Sequence, residues 1–208
     1  MRSIIVKMKD TALQRSIDEF LGNDTLPPVV LCIGTDRVIG DALGPIVGEL
    51  LVRRYDVPAF VYGTLSLPVT ALTLPAVADF IRSRHTGQKV IAVDSSLGKP
   101  SDVGLIRATV GGIKPGLATG KNLPEAGDFS VTATVAALGA KDALSSVRLG
   151  FVSALAADVA SAIFTAVSKR FGRSNKPLVR NDERPDPAAV SGGSSHFPFS
   201  VNNDKTLY

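Results

Sequence analysis

The chain has 208 residues, 45% of them hydrophobic and 20% charged, with a formal net charge of +4. That allows one sizeable core, or one domain with appendages, in the ordinary composition of a globular protein. The small basic excess is not gathered into a stripe, which argues against nucleic acid as the main ligand, and the single cysteine, Cys32, excludes an internal disulfide framework.

In chain order, residues 1–27 read as a helical extension. Leu13, Ile17, Phe20 and Leu21 recur at helical spacing over residues 10–21, and "NDTLPP" breaks the pattern. Residues 28–171 then alternate. A β-branched run at 28–33 reads as a buried strand. Ile46, Val47, Leu50 and Leu51 share a helical face, with Pro45 in the first turn, where its missing N–H costs nothing. A strand is expected at 59–64, a helix at 72–84, and a strand at 89–94 that ends on Asp94. Another strand is expected at 103–110.

Residues 111–128 are rich in glycine and broken by proline. A loop of that length in a compact domain is usually functional or mobile, and its glycines would let it serve as a flap or rest for an extended peptide. A helix at 129–138, a short strand at 146–151 and a long helix at 154–171 complete the domain. Residues 172–208 are polar and rich in Pro, Ser, Gly and Asn, the composition of a poorly packed or disordered extension. Strands alternating with helices indicate an α/β fold around a mostly parallel sheet. The N-terminus lacks the apolar stretch of a signal peptide, and residues 152–167 carry Asp158 and are short for a membrane span. A cytoplasmic protein without a membrane partner is expected. The apolar helices leave room for a homo-oligomer.

In an open α/β sheet, ligands gather at the carboxyl ends of the strands. Asp41 follows the first strand of the alternation, Asp94 ends the third, and Asp128 closes the glycine-rich loop. Asp41 and Asp128 each precede a helix-like stretch and, taken alone, read as N-caps. Asp94 is harder to explain as structure, because a carboxylate at the rim of a buried strand needs a partner, a metal or a shared proton. Cys32 reads as an inert core thiol. His85 and His196 read as solvated surface residues, so neither a serine–histidine pair nor a typical zinc site is indicated. The glycine loop "IGTDRVIGDALG" has the setting for anion binding at a helix N-terminus, but it is acidic and matches neither common phosphate-binding motif.

"LCIGTDRVIGDALGP", followed by "YGTL", "VIAVDSSLG", "GLIRATVGGIKPG" and "LPEAGDFSVTATV", resembles the sporulation protein YyaC family over residues 28–171. That family is similar to the germination protease of bacterial spores and, more distantly, to the hydrogenase maturation proteases. The resemblance implies a three-layer α/β/α sandwich with a central mixed sheet. It also implies a peptidase with two essential acids, which fall on Asp41 and Asp94. The hydrogenase maturation proteases add a nickel-binding histidine. No histidine stands in the corresponding region here, and Asp128 is its nearest substitute.

A sporulation-associated peptidase that uses Asp41 and Asp94, with Asp128 positioning water or substrate, is therefore expected. Gly34, Thr35, Ser95 and Gly116 would line the substrate, together with Asp36, which also reads as a turn residue. The partner would be a protein or peptide substrate. No resident cofactor is expected, although a divalent cation held by Asp41, Asp94 and Asp128 is compatible with all-oxygen ligation. A non-catalytic binding or assembly module, and a phosphate- or nucleotide-binding domain, are the alternatives.

Overall fold

The computed structural model describes residues 3–113, 125–139 and 142–172. The expected C-terminal extension beyond residue 172, Gly116, His196 and most of the glycine-rich loop lie outside them.

The described chain runs β1 (Ser3–Val6), α1 (Thr11–Leu21), β2 (Val29–Cys32), α2 (Leu43–Glu49), β3 (Phe60–Tyr62), α3 (Leu74–Arg84), β4 (Val90–Gly98), β5 (Ile106–Val110), β6 (Phe129–Ala137) and α4 (Leu149–Phe171). Six strands form one mixed sheet in the order β1-β5-β6-β4-β2-β3. β3, β2, β4 and β6 run parallel, β5 is antiparallel to β6, and β1 is antiparallel to β5. The fold is α/β, as the alternation indicated.

Strand parity sorts the core into two faces. Val30, Cys32, Ile91, Val93, Phe129, Val131 and Ala133 pack with buried residues of α1, α2 and α4. Val29 and Leu31 point the other way and pack with Leu74 and Ile81 of α3. Helices thus flank both faces.

Residues 3–27, part of the stretch expected as an extension, belong to this same body. β1 pairs with β5 from Ser3↔Thr109 to Val6↔Ile106, and Leu13, Ile17 and Leu21 of α1 are fully buried in the larger core cluster. Asp10 caps α1 by accepting the Ala12 N–H at 2.8 Å. α4 is long and apolar enough to cross a bilayer by length and composition. In this fold it buries Val152, Leu155, Val159 and Ile163 in the core shared with α1 and α2.

Two expected elements are corrected. The helix expected at 129–138 is instead strand β6, Phe129–Ala137. "FSVTATVAA" buries Phe129, Val131, Ala133 and Val135 and leaves Thr132 and Thr134 half-buried, a period of two with β-branched residues. Its alanines suggest a helix in isolation, and the sheet overrides them. Residues 146–151 form a turn and the first residues of α4, with Arg148 as N-cap, rather than a strand. β4 also continues past Asp94 to Gly98, so Asp94 lies within the strand instead of ending it.

Candidate active site

The junction after β2 explains the glycines first. Ile33 donates its N–H to the Val93 carbonyl at 2.8 Å, and the chain then turns away at Gly34, whose φ of 145° disfavours a side chain. Residues 39–54 form one winding helical segment, a 3₁₀ turn (Ile39–Ala42), α2 and a π turn (Leu50–Arg54). α2 lies so close to the sheet that a Cβ on Gly44 would collide with the Ile33 carbonyl, and one on Gly48 with that of Gly63. A Gly40 side chain would collide with Leu144, whose carbonyl accepts the Gly40 N–H at 2.8 Å. The motif therefore presses a helical segment onto the end of β2, with Asp41 in its first turn.

Asp41 is not a cap. Ala42 is the N-cap of α2 and makes no side-chain cap bond. The Asp41 carboxylate instead accepts from the Ser95 hydroxyl, Oγ to Oδ1, at 3.3 Å. Ser95 also donates its backbone N–H to Asp94 Oδ1 at 2.8 Å. One residue thus joins two half-buried carboxylates, from α2's side and from β4. They sit where β2 ends beside β4, between strands whose connections run to opposite sides of the sheet order, the expected place for a ligand.

Electrostatics match this placement. Burial, with a further contribution from the Asp41 charge, pushes Asp94 up to about 8, against the counteracting Ser95 N–H bond. Burial also raises Asp41 above the usual carboxylate range, opposed by the Ser95 hydroxyl bond. Near neutral pH, Asp94 therefore carries a proton and can donate a hydrogen bond, while Asp41 supplies the more readily ionised oxygen.

Asp128 does not join them. It precedes strand β6, not a helix, and is exposed. Its Oδ2 accepts the Val90 N–H at 2.9 Å, and its own N–H donates to the Val90 carbonyl at 2.8 Å. Val90 begins β4, so Asp128 lies about 13 Å along the strand from Asp94, on the amino edge. Its role is to start the β4–β6 pairing. The three acids consequently form no common cation site, and among the described residues no group of three or more His, Cys, Asp or Glu could hold a metal.

The remaining expected residues divide. Thr35 lies beside Asp41, donating its N–H to the Asp41 carbonyl at 3.1 Å. Asp36 occupies an exposed turn. Cys32 is fully buried, and burial pushes its thiol up, which leaves it unreactive. His85 is corrected: it is buried, with Nε2 2.7 Å from the Tyr62 hydroxyl and Nδ1 2.7 Å from Gln88 Oε1. It closes α3 against β3, beside the Pro27 carbonyl that Gln88 also reaches, and away from the acids. Sequence reasoning missed the Leu144 carbonyl that pins the Asp41 turn. A backbone acceptor a hundred residues downstream carries no local signal.

Residues 5–162 match the family described as "Protein of unknown function (DUF1256)". The chain belongs to this family. It is also similar to "Uncharacterized protein YyaC" of Bacillus subtilis (strain 168), at 39% identity over 152 residues, covering 72% of this chain and 73% of that relative. The family match runs from within β1 into α4 and so contains the whole Asp41–Ser95–Asp94 constellation.

Proposed function

We propose that this DUF1256 family member is a peptidase that hydrolyses peptide bonds with the Asp41–Asp94 pair. The observation that carries the reading is Ser95, which bonds both carboxylates while burial raises both of them. An acid and a base with separated proton affinities, side by side at a sheet crevice, suit water-activated cleavage.

In this mechanism a water lies between the two carboxyl groups. Asp41 takes a proton from it as its oxygen attacks the scissile carbonyl carbon. Asp94 donates its proton to the carbonyl oxygen, giving a neutral tetrahedral diol. The diol returns a proton to Asp94 as the carbonyl re-forms, and Asp41 delivers its proton to the departing nitrogen. The pair ends as it began, with one proton shared. Gly34 and Thr35 follow β2 beside the pair, where the absent Gly34 side chain admits the Asp41 carbonyl and the Thr35 N–H bonds it. A protein or peptide substrate, a cytoplasmic setting and a role in sporulation complete the reading, the last resting on the resemblance to the YyaC family and the germination protease.

The test is mass spectrometry of a diverse peptide mixture after incubation with wild type and with Asp94→Asn. Cleavage by wild type alone supports the peptidase. Equal cleavage by both variants removes the carboxylate pair from the mechanism. With both proteins folded and neither cleaving, a binding or assembly module on the same fold replaces the enzyme.

A further inference from the structure

β4 is longer than its neighbour. Its pairing with β6 runs from Ile91 to Gly98, whereas its pairing with β2 stops at Cys32↔Val93. Backbone directions can be followed on both sides of a register shift against β6 between Ser96 and Leu97, where β6 carries the extra residue. The Lys89 and Val93 carbonyls accept from β2's side, from Val29 and Ile33, both at 2.8 Å. The Val90 and Gly98 carbonyls accept from β6's side, from Asp128 and Leu138, also at 2.8 Å. Ser95 and Leu97 therefore point their backbone groups into the lane that β2 vacates at Gly34.

The Ser95 N–H is taken by Asp94 Oδ1. Among the described residues no strand pairs with this edge beyond Val93, and the Ser95 carbonyl and both backbone groups of Leu97 have no bond across the lane. Residues 94–98 are half-buried, as expected for a strand flanked on one side only. Open strand edges are templates for another strand, and proteins ordinarily block them. Among the described residues the edge stays open over the stretch that carries Asp94 and Ser95, the residue that bonds Asp41.

We propose that the β4 edge at Ser95–Leu97 receives an extended, unstructured polypeptide as an added strand, continuing the lane of β2. The guest's backbone would bond the Ser95 carbonyl and the Leu97 N–H and carbonyl. At inter-strand spacing of about 4.8 Å its peptide groups would lie alongside the Asp94 and Asp41 carboxyls. Main-chain bonding supplies the affinity in strand addition, so recognition tolerates many sequences and rejects folded segments. The inference rests on the peptidase reading for the fate of the guest, not for the slot.

The experiment follows the Leu97 amide by NMR hydrogen exchange in the full chain, with and without excess randomised dodecapeptides. A matched set carries N-methyl groups on alternate amides. The slot predicts that plain peptides slow Leu97 exchange and that the methylated set binds about tenfold more weakly, the loss of one or two backbone bonds. Slowed exchange without cleavage upholds the slot and removes the peptidase. Cleavage with Leu97 unaffected overturns the slot and leaves the peptidase standing. Equal binding of both sets overturns it too. Protection of Leu97 without peptide overturns it as well, the chain itself filling the lane if protection is independent of concentration and a second copy if it grows with concentration.

Discussion

The start of β4 and its middle put the same side chain to different uses. At the amino end, Asp128 and Val90 exchange a closed pair of hydrogen bonds across two strands, and Gly111 adds a third to the Asp128 carbonyl at 2.8 Å. Midway along, where β2 stops pairing, Asp94 accepts one N–H from its own neighbour and faces a second carboxylate through Ser95. An aspartate that receives donors from another strand is engaged in folding. One that is half-buried beside a like charge keeps its proton at neutral pH and is available for acid–base work.

The sharpest way to break this comparison is to neutralise each acid in turn. Asp94→Asn should lower peptide hydrolysis by about a thousandfold, the range of a general acid–base group, with thermal unfolding showing an intact fold. Asp128→Ala should do the reverse, leaving turnover near wild type and costing about 1 kcal/mol of stability for the lost bond to Val90. Turnover lost in Asp128→Ala with the fold intact would restore it to the site.

Packing of the Asp41 segment gives the next effect. Gly44→Ala places a methyl against the Ile33 backbone, and overpacking of this kind costs about 1–3 kcal/mol. Denaturant unfolding should show that loss. The same substitution should impair hydrolysis beyond its effect on stability, because the Asp41 turn must move to relieve the contact.

The pair's proton balance can be read from pH. Activity should rise as Asp41 ionises, above the usual carboxylate range, and fall as Asp94 ionises near 8. Stability carries the same signature. Unfolded Asp94 releases its proton near pH 3.9, so between that point and about 8 the native state holds a proton that the unfolded state has lost. Stability therefore declines as pH rises through that window and levels off above it. Asp94→Asn should flatten the decline, and a slope unchanged in that variant would assign it to other groups.

The fold was legible where periodicity and turn chemistry agreed. The apolar spacing of Leu13, Ile17 and Leu21, and the run from Val29 to Cys32, each placed their elements to within a residue or two. β6 was obscured because three alanines weaken the β-branched signal of "FSVTATVAA", and its pairing with β4 and β5 is not local. That misread strand also misplaced Asp128: once residue 129 starts a parallel strand beside Ile91, Asp128 must lie at the amino edge. Asp41 and Asp94 were legible as acids after buried strands. The Ser95 bridge between them depends on strand parity at one residue, which only the register of β4 fixes.

Ser95 therefore offers the finest test of the comparison. Removing its hydroxyl in Ser95→Ala deletes the bond to Asp41 but keeps the backbone N–H to Asp94. The lost bond had favoured ionised Asp41, so Asp41 should hold its proton more tightly and the acid limb of the activity profile should move to higher pH. The basic limb, set by Asp94, should stay in place. A loss of about tenfold in kcat near neutral pH is expected, equivalent to about 1.4 kcal/mol, recoverable in part by raising the pH toward the Asp94 limb. Ser95→Thr, which retains a hydroxyl, should restore the acid limb. A uniform loss across pH, unrescued by threonine, would make Ser95 a packing residue and leave the two carboxylates without their link.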